Sequence, residues 1–213
     1  NPPITNLQGL SLQDNLPAFD GAAARIAIEA ELGSPVDELF AEFDDAAIAA
    51  ASIAQVHKAV TEDGDAVAVK ILRLGIEAAF ARDLDLARWG AQRFERMRPD
   101  LQRLRPVEAV DTIIRSVEIE MDLRFEAAAA DELRQNFEGD PTFSVPAVDW
   151  LRTGRRVMTT AWIDARPMNE IDLASTALDP EAVVANFARA FFLQVFRDGF
   201  FHADLHPGNI FID

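Results

Sequence analysis

Apolar residues at helical spacing predict two helices near the start of the chain. Asp20 is a typical N-cap residue, and the alanine-rich stretch that follows it is predicted to be helical as far as Gly33. Pro35 suits the first position of a second helix, which we place over residues 36–43. The residues before Asp20 lack this periodicity and are predicted to form an extended lead-in.

Three longer segments show the same periodicity. Residues 76–97 and 107–137 are each predicted to form one long helix, and residues 181–197 a strongly apolar helix that ends near Gly199. In the second segment the apolar positions lie three or four residues apart: Val110, Ile113, Ile114, Val117 and Met121.

Two parts of the chain have the alternation of β-strands. The runs "SIAQVHKAV" and "AVAVKIL" flank Asp63-Gly64, a pair typical of a tight hairpin turn. The runs "FSVPAVDW" and "RRVMTTAWI" predict another strand pair around Gly154. The order of elements therefore predicts an α+β fold, with a small sheet and helices outside it.

Composition and charge narrow the classes of function. The 213 residues are 49% hydrophobic and 26% charged, which is ordinary for a globular protein with a core. No apolar run approaches the ~18 residues of a membrane span. The lack of cysteine excludes disulfides and thiolate metal sites, and a net charge of −16 argues against a nucleic-acid groove and against docking on anionic lipid. A nucleotide site would need local cations or metal ions.

Lysine usage singles out one strand position. Of the 20 basic residues only Lys58 and Lys70 are lysines, and Lys70 ends the run "VAVK". Because side chains alternate along a strand, the valines of this run face one side and Lys70 faces the other with the small alanines. A lysine on a small-residue face can reach a phosphate in a cleft. The alternative is a strand-end lysine that extends to solvent.

Carboxylates recur along the second long helical segment. Glu118, Asp122 and Glu126 are spaced four residues apart and are predicted to share one helix face, with Glu120 nearby. We interpret some of them as partners of Lys70 or of a metal ion. The alternative is a solvated acidic face, which would be ordinary in so acidic a protein.

The run "HADLHPGN" near the end of the sequence concentrates reactive side chains. It is either a metal-ligand cluster or half of a phosphate-handling site. As a metal cluster, His202, Asp204 and His206 would be acceptable zinc ligands of a metal-dependent hydrolase, but Asn209 and Lys70 would then have no role.

The motifs follow one another in the order of the protein kinase signatures, in which a strand lysine pairs with a helix glutamate and a later loop supplies aspartate and asparagine. "AAASIAQVHKA", "VAVK", "EMDLRFEA" and "FFHADLHPGNIF" closely resemble the UbiB family, the aarF-domain-containing atypical kinases linked to ubiquinone biosynthesis. This resemblance implies a protein kinase-like fold with a small, mainly antiparallel sheet. It divides the chain into a helical extension (1–45), an N-lobe with inserted long helices (46–163) and the start of a helical C-lobe (164–213).

The resemblance also implies roles for individual residues. Lys70 would face the α- and β-phosphates with Glu126 as its helix partner, Asp204 would be the catalytic aspartate, and Asn209 would bind the metal. Supporting positions are Glu120 and Asp122 of the family's E-x-D motif, His202, which would orient the loop, and His206, where ordinary kinases have lysine. The alanine-rich nucleotide loop would be Ala49, Ala50, Ala51 and Ser52, and the hinge that receives adenine would be Ala161, Trp162 and Ile163.

The same resemblance implies cofactors, partners and location. ATP or ADP with Mg²⁺ would be the cofactors, and isoprenoid lipid or quinone-biosynthesis proteins would be partners alongside the nucleotide. We expect no nucleic-acid partner, no transmembrane segment in this chain, and a cytoplasmic protein peripheral to the inner membrane through parts outside this chain.

Two motifs of the family do not occur in this sequence, namely the K-x-G-Q segment and the D-F-G motif. We therefore expect this chain by itself to be an inactive part of a longer phosphotransferase or ATPase. A catalytically silent scaffold of the same fold, binding lipid or partners, is the main alternative, and the alanine-rich loop favours it.

Overall fold

The computed structural model describes residues 4–6, 19–51, 53–171, 178–200 and 210–212. Within these ranges the chain forms six α-helices: α1 (Gly21–Leu32), α2 (Val36–Leu39), α3 (Ile76–Met97), α4 (Pro106–Glu120), α5 (Leu123–Asn136) and α6 (Pro180–Phe192). It also forms nine strands: β1 (Ile4–Asn6), β2 (Glu42–Phe43), β3 (Ala49–Ala50), β4 (Ala54–Val60), β5 (Ala66–Leu72), β6 (Phe143–Ser144), β7 (Val157–Ala161), β8 (Arg166–Pro167) and β9 (Ile210–Ile212). The predicted α+β class is therefore confirmed.

The central sheet is built on the hairpin of β4 and β5. Gly64 in its turn has a φ of 90°, a conformation that favours glycine, and the Asp65 amide donates to the Thr61 hydroxyl. The strand order is β2-β4-β5-β7 with β3 beside β4, and each of these pairings is antiparallel. The predicted hairpin and small antiparallel sheet are confirmed.

Alternation of side chains gives the central sheet two different faces. Val67, Val69 and Ile71 of β5 pack in one hydrophobic cluster with residues of α1 and α2, and we call this side the α1 face. Leu72 of β5 packs in a second cluster with residues of α5 and α6, and we call this side the α5 face. By the same alternation Lys70 lies on the α5 face.

A second sheet has the strand order β6-β1-β9-β8, with β1 parallel to β6 and antiparallel to β9. The predicted strand pair around Gly154 is confirmed only in part, because β6 pairs with β1 and only the residues after it approach β7. Within the described ranges the two predicted partners meet at the isolated bridge between Val148 and Thr160. The Asp149 carboxylate accepts from the backbone N–H groups of Leu151 and Arg152 and so begins a 3₁₀ turn where a strand was expected.

Of the two helices predicted near the start of the chain, the first is confirmed near its predicted limits and the second is shorter. The Asp20 side chain caps α1, and Gly33 ends it with a φ of 77°. The second helix ends at Leu39 rather than at Phe43, because Phe43 belongs to β2 and pairs with β4. None of the described helices is long and apolar enough to cross a bilayer.

The predicted helix over residues 107–137 is interrupted and forms α4 and α5. Asp122 lies between them in an extended conformation, with φ of −128° and ψ of 94°, and its side chain caps α5. The Leu123 amide donates to the Arg155 carbonyl at 2.8 Å rather than continuing α4. Glu118, Asp122 and Glu126 therefore do not share one helix face, and that interpretation is wrong.

Candidate functional site

An ion pair between strand β5 and helix α5 is the centre of the candidate site. The Lys70 Nζ lies 2.8 Å from both carboxylate oxygens of Glu126. The side chains are 13% and 23% exposed, so the pair is partly shielded from water but open on one side. Such a pair can hold a lysine ammonium in place while leaving part of its charge available to an anion.

The position of Lys70 follows from the register of the central sheet. Lys70 lies opposite Val56 of β4 and Met158 of β7, in the middle of three strands. Ala68, two residues earlier on the same face, is small and leaves space beside the lysine stem. The strand therefore presents the Lys70 ammonium beside small or apolar neighbours.

The position of Glu126 follows from the packing of α5 on the α5 face. Leu123, Ala127 and Ala130 are at most 2% exposed and belong to the cluster that includes Leu72 of β5. Alanines at this helical spacing allow the helix backbone to approach the sheet closely. Glu126, next to Ala127, is thereby brought within reach of the lysine.

Asp122 has a structural place that differs from the one its motif suggested. Its carboxylate is bound by the Arg124 guanidinium at 2.6 Å and accepts from the Arg124 amide, so that it caps α5. The Arg124 hydrogen bond lowers the pKa of Asp122 despite partial burial. Glu120 is exposed at the end of α4 and has no ion pair within the described residues. Of the predicted helix carboxylates, Glu126 is the one that the described structure joins to Lys70.

The alanine-rich loop is closed by hydrogen bonds within the protein. Ala49 and Ala50 form β3 and pair with β4, and the Ala51 amide donates to the Ala54 carbonyl at 2.8 Å. The Arg73 guanidinium donates to the Ala51 carbonyl at 3.1 Å. Sequence reasoning did not single out Arg73; its position three residues after Lys70, directly beyond β5, was the available signal.

The predicted hinge begins at Ala161, the last residue of β7. The Ala161 amide donates to the Ala147 carbonyl and the Trp162 amide to the Ala66 carbonyl, both at 2.9 Å. In the described part of the chain the Ile163 peptide makes no hydrogen bond. Its N–H and C=O are therefore the hinge groups that can meet the polar edge of a base.

The hinge tryptophan also contacts the second lysine, which sequence reasoning left without a role. The Lys58 ammonium lies 4.5 Å from the centroid of the Trp162 ring. Lys58 lies opposite Ala68, so both lysines of this sequence project from the α5 face.

Several predicted residues lie outside the described part of the chain. These are Ser52 of the alanine-rich loop and His202, Asp204, His206 and Asn209 of the "HADLHPGN" run. Among the described residues, no group of three His, Asp or Glu side chains is arranged to hold a metal ion. The predicted metal ligand and catalytic aspartate therefore stay predictions.

Comparison with known proteins identifies similar sequences and a similar structure. The sequence profile of the ABC1 atypical kinase-like domain matches residues 11–213. A probable protein kinase UbiB of Marinobacter nauticus is 43% identical over 203 residues, which cover 95% of this chain and 37% of that protein. The protein of the same name from Pseudomonas putida is 42% identical over 202 residues, covering 94% of this chain and 37% of that protein.

A more distant relative and a solved structure agree with these matches. The probable protein kinase UbiB of Xylella fastidiosa is 40% identical over 203 residues, covering 95% of this chain and 37% of that protein. The chain thus spans a little over a third of the length of these curated relatives. The structure of the Rv3197–erythromycin complex from Mycobacterium tuberculosis has a TM-score of 0.74 and 32% identity, covering 91% of this chain and 48% of that chain.

Proposed function

Because this chain belongs to the ABC1 atypical kinase-like family, we propose that it is the nucleotide-binding part of an atypical kinase or ATPase that performs phosphoryl transfer or ATP hydrolysis with Mg²⁺. The observation that carries this proposal is the Lys70–Glu126 ion pair. In phosphoryl transfer the protein contributes mainly positioning and charge stabilisation, and a fixed lysine supplies both to the phosphates.

The residues divide the work of this site between them. The Lys70 ammonium binds the α- and β-phosphates, and Glu126 keeps it from turning to solvent. The Ile163 peptide binds the base, next to Ala161 and Trp162. Asp204 orients the acceptor hydroxyl or water and accepts its proton. Asn209 carries an oxygen donor that would hold Mg²⁺, which would neutralise phosphate charge.

We further propose that the whole protein supports ubiquinone or other isoprenoid-lipid metabolism as a cytoplasmic enzyme peripheral to the inner membrane. Its support is the similarity to proteins named UbiB kinases. Deletion of the gene for the longer protein should lower cellular ubiquinone, and an Asp204→Asn copy should fail to restore it. Full restoration by that copy would contradict a catalytic role in this pathway.

The two lysines of the sequence allow a matched test of nucleotide binding. Lys70→Ala should weaken binding of Mg–ADP by about 1–3 kcal/mol, because a charged hydrogen-bonding partner of the phosphates is lost. Lys58→Ala removes the same side chain from the same sheet face and should have a much smaller effect. Calorimetric titration of both variants measures the difference. Equal affinities of the parent and Lys70→Ala would reduce Lys70 to a structural residue.

A nucleotide-binding scaffold without turnover is the second candidate function. The alanine-rich loop favours the scaffold for two reasons. The Ala51 amide already donates to the Ala54 carbonyl, so it is not available to a phosphate. The Cβ of alanine also restricts the positive φ angles that let glycine-rich loops bind phosphates closely. Phosphate release by the longer protein, compared with its Asp204→Asn variant, separates the two. Release that depends on Asp204 supports an enzyme, whereas nucleotide binding with no such release supports the scaffold.

A further inference from the structure

A cavity of about 200 Å³ lies between α3 and α4 and is open to solvent at Ala81, Asp85 and Glu118. Its walls are apolar side chains from both helices: Phe80, Leu84, Ile114, Val117 and Met121. An apolar cavity of about 150 Å³ is already large enough to hold benzene. The space therefore suits one aromatic ring or a short branched alkyl group.

The charged lining residues give the cavity an excess of negative charge. They are Glu77, Asp85, Glu118 and Arg155. Arg156 donates to the Glu77 carboxylate at 2.9 Å and neutralises it. Among the described residues neither Asp85 nor Glu118 takes part in an ion pair, so two carboxylates remain against the single charge of Arg155. An apolar space with carboxylates beside it selects ligands with an apolar body and a positive group.

We propose that this cavity is a second ligand site, which binds a small organic cation with an aromatic or branched alkyl body and an ammonium group. The apolar body packs between α3 and α4, and the ammonium lies near Asp85 and Glu118. The sequence's net charge of −16 further raises the local concentration of cations. The site does not rest on the nucleotide-binding function proposed above.

The base of the cavity is joined to the beginning of α5. Met121 is 4% exposed and directly precedes the Asp122 cap of α5. The Arg155 carbonyl accepts a hydrogen bond from the Leu123 amide at 2.8 Å, and Arg155 also lines the cavity. A ligand that packs on Met121 and Arg155 therefore restrains the first turn of α5, the turn that carries Glu126. Binding at this site stabilises the helix that positions Lys70.

NMR of the methionine methyl groups can detect ligand binding in the cavity directly. The sequence has four methionines, and Met121 lines the cavity whereas Met97 is 66% exposed at the end of α3. With ¹³C-methyl-methionine in the full chain, 2-phenylethylammonium should shift the Met121 signal saturably and leave Met97 unchanged. Neutral 2-phenylethanol should bind more weakly, and anionic 3-phenylpropionate most weakly. No Met121 shift, or equal affinity for the anion, overturns the proposal.

Matched variants locate the bound probe. Ala81 lines the cavity and Ala87 is an exposed alanine of the same helix outside it, so Ala81→Leu should abolish the Met121 response and Ala87→Leu should keep it. Glu118→Gln and Asp85→Asn should each weaken the ammonium probe about 2- to 5-fold, with no change for the alcohol. A response that survives Ala81→Leu in a folded protein overturns the location.

Hydrogen exchange tests the connection to α5. Saturating 2-phenylethylammonium should slow amide exchange in residues 123–126 about as much as at the cavity walls, and Ala81→Leu should remove the effect. Unchanged exchange in α5 despite a saturated Met121 shift overturns the coupling and leaves a binding site only.

Discussion

The polar side chains on the two faces of the β4–β5 hairpin differ in their exposure to solvent. On the α1 face, Gln55 and His57 are at most 1% exposed. On the α5 face, Lys70 and Glu126 remain 13% and 23% exposed at the side-chain level. Gln55 and His57 lie on β4 and Lys70 lies on the neighbouring β5, so the difference arises from what is packed on each face.

On the α1 face the polar atoms of Gln55 and His57 are hydrogen-bonded within the protein. The Phe19 amide donates to Gln55 Oε1 at 3.0 Å, so Gln55 Nε2 is the donor that faces His57 Nε2 at 2.6 Å. His57 Nε2 must then accept, and Nδ1 carries the proton that is donated to the Asp44 carbonyl at 2.8 Å. The His57 ring also stacks on Phe43, with centroids 5.0 Å apart. This arrangement fixes a neutral histidine in a single tautomer.

On the α5 face, by contrast, the charged groups of Lys70 and Glu126 remain partly in contact with solvent. Burial of a polar group is tolerated where all its hydrogen bonds are satisfied, whereas a ligand site must keep part of its binding capacity unused. The Lys70 ammonium has three donors, and the Glu126 carboxylate cannot occupy all of them fully. The comparison predicts that substitutions on the α1 face change stability and substitutions on the α5 face change binding.

The largest effect on stability is expected from His57→Leu. The variant removes the acceptor of Gln55 Nε2 and the donor to the Asp44 carbonyl, leaving buried polar groups unsatisfied at a cost of about 2–4 kcal/mol. Denaturant unfolding measures this change. The control is Lys70→Met on the other face, for which a loss below about 1 kcal/mol is expected. If both variants lose equal stability, the two faces do not differ as described.

The pH dependence of stability tests the burial of His57 without replacing its imidazole ring. Burial lowers the pKa of His57 below its usual value of 6.5, outweighing the Asp44 carbonyl, which raises it. The folded protein therefore binds this proton less readily than the unfolded chain does. Stability is fully present above about pH 6.5 and should fall as the pH decreases below it.

A matched variant isolates the histidine in that experiment. His57→Gln cannot titrate, so its free energy of unfolding should fall less between pH 7 and pH 5 than that of the parent. The other two histidines of the sequence are the same in both proteins, so their titration cancels in the difference. Parallel curves for parent and variant would show that His57 accepts a proton as readily when folded as when unfolded.

On the α5 face, Glu126→Gln should affect binding more than stability. Loss of the carboxylate frees the lysine to move, and Mg–ADP affinity should fall by about 1–2 kcal/mol, while the free energy of unfolding changes by less than about 1 kcal/mol. Glu132→Gln, an exposed position on the same helix, is the control. If both variants bind the nucleotide with the same affinity, the ion pair does not contribute to nucleotide binding.

Much of the fold could be read from local patterns. The similar UbiB proteins and the similar solved structure confirm the predicted family and its kinase-like fold. The Asp20 cap, the Gly64 hairpin turn and the Lys70–Glu126 pairing are also confirmed by the described structure. These features depend on short-range rules of capping, turns and alternation, or on the motifs that carry the resemblance to the family.

The errors arose where tertiary contacts overrode local periodicity. Helical spacing continued through Asp122, but the Arg155 carbonyl accepts from Leu123 and the chain starts a new helix there. The segment from Val148 to Trp150 has a strand-like sequence, yet Asp149 hydrogen-bonds to its own neighbours. The contact between Arg155 and Leu123 is not visible in sequence spacing.

The smallest expected effect is the coupling between Lys58 and Trp162. The ammonium lies 4.5 Å from the ring centroid, and Lys58 is exposed, so the cation–π contact should contribute about 0.5–1 kcal/mol. A double-mutant cycle with Lys58→Met and Trp162→Leu measures it, since methionine keeps an apolar stem for packing on the ring. A coupling near zero would mean that the lysine merely extends along the surface. A coupling above about 2 kcal/mol would be as strong as that of a buried cation–π contact, although this contact lies on the more exposed α5 face. The contrast with the α1 face would then fail at the hinge.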